Sequence, residues 1–571
     1  MTKRKDTKAK AFTCRGAAAL ITAALLIAAV RLTGCPQSIE NKPNIPSGPD
    51  PNLRIEGGIL KGWNETPSGT LVIPAGVTEI ADSAFTNCTG LTQVDFSQCT
   101  VLTKIGNYAF SGCTGLTSLT LPASLERLGY YAFENCTEIT GAVVLPANLK
   151  YIDYYAFENC NKVDAFDFTQ CTQLTSINSN AFASCTKITE VNLPASLTTI
   201  SAFAFAGCAN LATLTVDAAS THLRSKNNII YDYNETKLLC RTPNVTQVTF
   251  PATLTEIAES AFSGCTGLTQ VDFSQCTVLT KIGESAFYGC TGLISLSLPA
   301  SLERLGDYAF ENCTEITGAV VLPASLKYID YYAFENCNKV DAFDFTHCTQ
   351  LTYINSNAFA SCTKITEVNL PASLTTISAL AFAGCTNLTT LTVDAASTHL
   401  RSKNNIIYDY NETKLLCRAP NVTQVTFPTT LTEIAGSAFS DCTSLTQVNF
   451  PASLTKIGES AFYGCTGLTS LSLPASLERL GDHAFENCTE ITGAVVLPAS
   501  LKYIDYCAFE NCNKVDAFDF THCTQLTKIS YEAFYGCKAD AVFTVKAGGN
   551  IKNLLLNSLN AIKASQITEV P

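Results

Sequence analysis

The chain has 571 residues, 46% of them hydrophobic, and a formal net charge of −12. This apolar content is enough to bury a core. The acidic balance, without a basic stripe, argues against a nucleic-acid binder, because that affinity comes largely from Lys and Arg displacing counterions. The 27 cysteines are spread at regular intervals. A small scaffold held together by crowded disulfides is therefore also excluded.

The first 35 residues have the pattern of an export signal. A basic segment at 3–15 precedes an apolar run at 17–30, which is too short to span a bilayer. The run leads into LTGC at 32–35, which resembles the box of bacterial lipoproteins and implies that Cys35 becomes the lipidated first residue of the mature protein. Ordinary signal cleavage nearby, with Cys35 incidental, is the alternative. Five prolines in 36–54 predict an extended tether beyond this anchor.

A short motif recurs along the rest of the chain. Ala-Phe, two variable residues and Cys occur seventeen times, first at AFTNC (84–88) and last at AFYGC (533–537), with spacings of 23 to 25 residues and two jumps of 57. A larger period of 177 residues separates Cys88, Cys265 and Cys442. The segments 216–241 and 393–418 are identical, which indicates recent duplication of whole blocks.

A period in the twenties predicts a leucine-rich-repeat solenoid of about 17 turns, with one short strand per turn. In the unit 113–135 the strand is predicted at Leu116–Leu121, with Leu119 and Leu121 pointing inward. The opposite, convex side is predicted to be mostly irregular or 3-10. A single unit buries too little apolar surface to offset its backbone entropy, so turns must stack to fold.

The repeat also sets the domain boundaries. The solenoid is predicted at 83–540, in three blocks starting near 83, 260 and 437, between an N-terminal cap at 55–82 and a C-terminal cap at 541–571. The C-terminal cap is expected to hold a strand, a short helix and a final strand. Each 57-residue jump has two apolar arms around Tyr-Asn-Glu, as in 227–239. This pattern predicts β-hairpins protruding from the stack within 216–250 and 393–427.

Several interpretations of the repeated cysteine compete. No C-x-x-C pair suits zinc, and seventeen equivalent copies argue against a nucleophile. We therefore expect no catalytic residue, no metal and no cofactor. A disulfide ladder between adjacent turns stays open, but a small buried core residue is favoured. Additional cysteines in longer turns are expected to be more exposed, namely Cys99, Cys171, Cys276, Cys348 and Cys523. Cys507, in the place of Tyr155 and Tyr332, is interpreted as drift.

Phrases such as LPASLERLGDYAFENCTEI (298–316) resemble the BspA-type leucine-rich repeat, and the resemblance covers about 59–537. It implies a right-handed solenoid on a bacterial surface, with an adhesion function toward host extracellular-matrix proteins, epithelial cells or other bacteria. It transfers no individual binding residue. The expected function is therefore that of a surface adhesin that is not an enzyme. A structural array or spacer without a dedicated ligand is the alternative.

Two surfaces are candidates for binding. The outward strand positions should form a polar concave face, although they could equally be ordinary soluble strand residues. In the first block they are Gln93, Asp95, Ser118, Thr120, Val144, Asp167, Glu190 and Asn192. The second candidate is a group of convex-side tyrosines, for which packing is an equal alternative. It comprises Tyr151, Tyr154, Tyr155, Tyr328, Tyr331 and Tyr332.

Overall fold

The computed structural model describes residues 51–557 and 562–571. The predicted signal and anchor at 1–35, with Cys35, and most of the tether lie outside these residues. Residues 51–571 form one compact unit, a β-solenoid of about 22 turns rather than 17. The count from the Ala-Phe motif was too low because the caps and the long units also complete turns without that motif.

Most turns contribute two strands rather than the single strand predicted. The longer ones form what we call the long-strand face, a set of short parallel ladders. They are Gly69–Val72, Leu91–Asp95, Gly141–Val144, Val163–Asp167, Glu190–Leu193, Thr213–Val216, Gln247–Thr249, Gln270–Asp272, Gly318–Val321, Val340–Asp344, Glu367–Leu370, Thr390–Val393, Gln424–Thr426, Gln447–Asn449, Gly493–Val496, Val515–Asp519, Val542–Lys546 and Ile567–Val570.

The second strand of each turn has only two residues and belongs to the short-strand face. Its second residue points into the core and its first points outward, because side chains alternate along a strand. These strands are Glu79–Ile80, Lys104–Ile105, Arg127–Leu128, Tyr151–Ile152, Ser176–Ile177, Thr199–Ile200, Glu256–Ile257, Lys281–Ile282, Arg304–Leu305, Tyr328–Ile329, Tyr353–Ile354, Thr376–Ile377, Glu433–Ile434, Lys456–Ile457, Arg479–Leu480, Tyr503–Ile504 and Lys528–Ile529.

The long-strand face is interrupted at regular places. The predicted strand at Leu116–Leu121 is not formed, although Leu119 and Leu121 are buried as expected. There, the backbone bonds to the neighbouring turns through Thr117, which donates its N–H to the carbonyl of Thr92 and accepts the N–H of Thr140, each at 3.0 Å. The equivalent residues of the other two blocks also lack a strand.

The third side of each turn carries the Ala-Phe motif. The phenylalanines stack along the solenoid, with centroids of Phe110 and Phe133 5.2 Å apart and their rings within 5° of parallel. The backbone follows the same spacing, since the N–H of Phe85 donates to the carbonyl of Ala109 in the next turn at 2.8 Å. Each block therefore contains one continuous aromatic column, supported by a ladder of turn hydrogen bonds.

The long units do not protrude as predicted. Each contributes three antiparallel strands to the start of a sheet that continues into the short strands. They are Leu223–Lys226, Ile229–Asp232 and Lys237–Arg241 in the first copy, and Leu400–Lys403, Ile406–Asp409 and Lys414–Arg418 in the second. Ile230 and Cys240 pack into the core of the preceding block, while Ile229, Tyr231 and Leu238 pack into the following one. Apolar residues face both ways, so these strands are held between two cores as an internal partition.

The ends of the stack are closed by separate elements. The antiparallel strands Leu53–Glu56 and Ile59–Trp63 start the N-terminal end, and Leu60 is fully buried against the first turn. At the other end, Val542–Lys546 is followed by the helix Ile551–Asn557, the 3-10 turn Ala564–Gln566 and Ile567–Val570. This is the strand, helix and strand order expected from the sequence. Leu555 of the helix is buried against the last turns.

Candidate interaction surfaces

The eight outward positions predicted from the sequence all lie on the long-strand face. Six of the eight side chains are exposed, whereas Asp95 and Asp167 are half-buried. Val144 stands out because this apolar side chain is 48% exposed, and its copies Val321 and Val496 are exposed to the same degree. The alternation of buried and exposed strand residues is therefore as predicted.

Open grooves bring most of these positions together. Gln93, Asp95, Ser118 and Thr120 line one groove of about 700 Å³. A second groove, of about 710 Å³, is lined by Asp344, Glu367 and Asn369. These are the second-block copies of Asp167, Glu190 and Asn192. Val144 belongs to neither, but its copy Val496 lines a third groove of about 590 Å³.

Turn length explains where the first two grooves lie. In both, one wall is a turn with two extra residues, at 95–102 and 344–351, and the opposite wall is the shorter Leu-Pro-Ala-Ser turn that follows. The strand ladder is interrupted between the longer turn and the shorter one. The variation in spacing that is visible in the sequence thus shapes the surface.

Some carboxylates of this face are paired, as Asp164 is with Lys187 at 2.5 Å, but those that line the grooves are not. Across residues 51–557 and 562–571, no Lys or Arg forms an ion pair with Asp95, Asp167 or Glu190. Asp167 accepts the N–H of Thr169 at 2.8 Å. The same bond from Thr346 is the main reason that the pKa of Asp344 is lowered, which keeps this carboxylate ionised at neutral pH.

The short-strand face differs because its charges pair with one another from turn to turn. Lys104 contacts Glu79 at 2.8 Å, and Lys150 contacts Glu126 at 2.8 Å. Equivalent pairs occur in the other blocks. Ion pairs exposed to this extent add little stability. They do, however, leave a face whose charges are already compensated, in contrast to the grooves of the long-strand face.

The tyrosine group predicted as one surface is divided between two. Tyr151 lies on the short-strand face, where the Arg127 guanidinium is 6.0 Å from its ring centroid and 2.7 Å from the carboxylate of Asp153. Tyr328 repeats this arrangement in the second block with Arg304. These tyrosines are exposed, but their position is set by the Arg–Asp pair of the neighbouring turns.

The other tyrosines lie on the Ala-Phe side. Tyr154 is exposed and meets Tyr130 edge to face, and Tyr331 is its exposed second-block copy. Tyr155 is half-buried and stacks on Tyr131 with centroids 4.6 Å apart. The second-block pair Tyr332 and Tyr308 stacks in the same way at 4.9 Å. For these stacked rings, packing is the arrangement that the structure shows.

The stacked tyrosines belong to a column of special backbone positions. The residue immediately before each Ala-Phe pair has a positive φ in nearly every turn, for example 57° at Tyr131 and 59° at Tyr155. In the third block this column holds His483, Cys507 and Glu532 instead. Sequence analysis missed this group because it treated Cys507 alone as drift. The signal in the sequence was that three residues one turn apart all differ in type from their copies in the first two blocks.

The repeated cysteines are core residues. All 25 cysteines within residues 51–557 are free thiols, and all but Cys537 are buried. In most turns the motif Sγ donates to the Phe carbonyl of the preceding turn, as Cys136 does to Phe110 at 3.2 Å. Burial raises the pKa of the Cys113 thiol to about 12. The thiols are thus protonated donors rather than nucleophiles.

The expectation that the additional cysteines are exposed was wrong. Cys171 is 2% exposed and donates to the carbonyl of Leu145 at 3.4 Å. The other four, Cys99, Cys276, Cys348 and Cys523, are buried as well. The lengthened turn places its Cys inside the solenoid, beneath the Leu-Pro segment of the preceding turn. The two extra residues therefore enlarge the hydrophobic core as well as the surface loop.

Comparison with known proteins identifies the family. The chain is a leucine-rich-repeat solenoid, and it belongs to the BspA-type leucine-rich repeat family, whose model matches residues 63–170, 103–234, 235–352, 280–409 and 412–540. This is a family of bacterial cell-surface proteins. No curated protein sequence matches the chain. None of the helices in the described residues is long and apolar enough to cross a membrane.

Several solved structures are similar to this chain. One is a leucine-rich cell surface protein from Faecalibacterium prausnitzii, with 20% identity and a TM-score of 0.43 over 61% of this chain and 96% of that chain. The pneumococcal vaccine antigen PcpA has 18% identity and a TM-score of 0.44 over 71% and 97%. A leucine-rich repeat protein from Bacteroides ovatus has 20% identity and a TM-score of 0.31 over 91% and 97%.

Proposed function

We propose that this protein is a non-catalytic adhesin that binds host extracellular-matrix proteins or other cell surfaces through its long-strand face. The observation that carries the proposal is the set of open grooves whose carboxylates have no internal ion pairs, beside a short-strand face whose charges are paired. Unpaired ionised groups on a broad face favour a partner of opposite charge and steer its approach.

The chemistry of the grooves indicates the kind of partner. The first two grooves are open and the charged residues that line them are acidic, while the exposed Val496 lines the third. Small-molecule sites usually enclose most of their ligand, unlike these open grooves. A protein surface with Lys or Arg side chains and small apolar contacts fits this face better. Export and a lipid anchor on Cys35, which rest on the LTGC segment, would display the face outside the cell.

The test removes charge from the face without changing its shape. In the triple variant Asp167→Asn, Asp344→Asn and Asp519→Asn, each amide oxygen can still accept the backbone N–H that the carboxylate accepts now. Binding to immobilised matrix proteins and to epithelial cells should fall roughly tenfold at low salt and less at high salt, since long-range attraction is screened. Surface plasmon resonance measures both.

A matched control carries the same change in net charge. Glu126→Gln, Glu303→Gln and Glu478→Gln also remove three negative charges, but from carboxylates that are paired with Lys150, Lys327 and Lys502. We expect this control to bind like the unmodified protein. Equal losses in both variants would show that only net charge matters. If the unmodified protein binds no matrix protein and no cell saturably, the proposal fails and the spacer alternative remains.

A further inference from the structure

One cluster of potential metal ligands sets the third block apart from the first two. The column before the Ala-Phe pairs reads Tyr131, Tyr155 and Asn180 in the first block, and the second block has the same residue types at 308, 332 and 357. The third block has His483, Cys507 and Glu532. These three positions thus carry nitrogen, sulfur and oxygen atoms that bind metals, in place of two stacked tyrosines and an asparagine.

The column is built to bring these side chains together. His483, Cys507 and Glu532 have φ values of 56°, 52° and 55°, so the backbone presents all three in the same way. The separation between adjacent members is known from the first block, where the rings of Tyr131 and Tyr155 lie 4.6 Å apart. Side chains from consecutive turns are therefore close enough to share one ion.

Two neighbouring glutamates complete the set of possible ligands. Potential ligand atoms of His483, Glu486 and Cys507 lie within 4.8 Å of one another, and so do those of Cys507, Glu510 and Glu532. His483 Nδ1 is hydrogen-bonded to Glu486 Oε2. Cys507 Sγ, which is common to both groups, is 4.0 Å from Glu532 Oε2. Tyr506 fixes the same oxygen of Glu532 by donating its hydroxyl at 3.1 Å.

The charge of the cluster is not balanced by protein cations. Within the described part of the chain, no Lys or Arg forms an ion pair with Glu486, Glu510 or Glu532. The Glu486 side chain is only 13% exposed and that of His483 32%. Like charges held close together in a partly buried place are unfavourable. A divalent cation would compensate them.

We propose that His483, Glu486 and Cys507, with Glu510 and Glu532 alongside, form a binding site for a divalent transition metal, for which Zn²⁺ is the best fit. Thiolate, imidazole and carboxylate together are typical zinc ligands in tetrahedral sites, whereas Mg²⁺ and Ca²⁺ take oxygen ligands only. The first two blocks retain Glu134, Glu158, Glu311 and Glu335 but have Tyr at the two central positions. They lack the sulfur and nitrogen ligands, so the site is confined to the third block.

Metal binding must displace a proton from the thiol. Burial, followed by Glu510, raises the pKa of Cys507 to about 12. The thiol is therefore protonated at neutral pH, and the metal has to compete with that proton. Binding of Zn²⁺ should therefore release this proton and weaken as the pH falls.

Cobalt gives the most direct test, because a thiolate bound to Co²⁺ absorbs in the near ultraviolet. We expect the full chain, purified without metal and titrated with CoCl₂, to develop this band at one equivalent, and ZnCl₂ to abolish it by displacement. The double variant His483→Tyr and Cys507→Tyr carries residues that the other blocks already accommodate, so it should fold. We expect the band to disappear and the Zn²⁺ affinity to fall at least tenfold, since losing even outer-shell partners costs that much.

A reciprocal variant tests whether these residues are sufficient. Tyr131→His, Tyr155→Cys and Asn180→Glu place the same set beside Glu134 and Glu158 in the first block. The Co²⁺ titration should then reach two equivalents per chain. The proposal is overturned if the unmodified protein shows no thiolate band, if the band survives in the double variant, or if the reciprocal variant still binds one equivalent.

Discussion

At the residue scale, the cysteine of the Ala-Phe motif combines small size with a useful donor. In most turns its Sγ donates to the carbonyl of the motif Phe one turn earlier, and that carbonyl also accepts the backbone N–H of the Cys that follows the Phe. The carbonyl of Phe110, for example, accepts the N–H of Cys113 and the Sγ–H of Cys136, each at 3.2 Å. An aliphatic residue of similar size would leave that second acceptor position unused. The thiol therefore links consecutive turns, although each such bond is weak.

The buried position of these thiols predicts slow chemistry. Desolvation raises their pKa values, to about 12 for Cys208 and Cys385, so little nucleophilic thiolate exists at pH 8. Iodoacetamide should leave the buried cysteines of the native protein at least tenfold less modified than after denaturation without reductant. Peptide mass spectrometry would measure each site. Pairs that resist alkylation after denaturation would instead support the disulfide ladder.

Sequence reasoning succeeded at this scale wherever the period alone decides the outcome. The seventeen-fold spacing correctly placed the motif Cys in the core. It failed for Cys171, whose depth depends on how a longer turn folds beneath Leu145 of the turn before. It also failed for His483, Cys507 and Glu532, because residues about 24 positions apart become neighbours only once the turns are stacked.

At the scale of elements, the partition between blocks requires a specific junction. Inside a block, the carbonyl of each Ala in the motif accepts an N–H from the turn before. At the start of the second block no such turn precedes Ala261, and the Arg241 guanidinium supplies the donors instead. Its Nε donates to the carbonyl of Ala261 at 3.0 Å and its Nη2 to the carbonyl of Ser263 at 3.1 Å. Its guanidinium lies 5.7 Å from the ring centroid of Phe262 and so covers the end of the aromatic column.

We expect Arg241→Met to destabilise the protein by about 2–4 kcal/mol, because several partly buried carbonyls lose a charged donor. The midpoint of urea unfolding, followed by circular dichroism, would report the change. Arg224→Met is the control, since Arg224 is exposed and lies over the Tyr233 ring at 4.3 Å, a contact of about 0.5–1 kcal/mol. Equal shifts in both variants would contradict the assigned role of Arg241.

The elements that sequence analysis missed are those with the weakest local signal. Two-residue strands such as Arg127–Leu128 are too short to show an alternating pattern. The partition did leave a signal, since Ile229, Ile230 and Tyr231 are consecutive apolar residues and a protruding hairpin would expose one side of them. Apolar residues on both faces indicate a strand buried on both sides.

At the scale of the whole molecule, contacts run only between neighbouring turns and blocks, as expected of a solenoid. Because the blocks repeat every 177 residues, Ser437 is the copy of Ser260. Joining Glu259 directly to Ser437 therefore keeps the repeat in register. One partition would remain, and both caps would be unchanged. The stack should therefore tolerate removal of one complete block.

We expect a chain lacking residues 260–436 to fold and to be shorter by about seven turns, or on the order of 35 Å at the spacing of parallel strands. Small-angle X-ray scattering would measure the reduced maximum dimension. A control deletion of residues 260–424 removes twelve fewer residues and breaks the period, so it should misfold. If the in-period deletion also fails to fold, the blocks are not equivalent units.

The partly repeated long-strand face also affects how a bound partner dissociates. Copies of one groove wall occur at Asp167, Asp344 and Asp519, held in a fixed order by the partitions between the blocks. A partner that itself repeats, such as a fibre, can engage two copies at once, and the second contact then forms at a high effective concentration. Weak individual contacts would suffice for durable attachment, and a soluble single-site fragment of the partner would compete poorly.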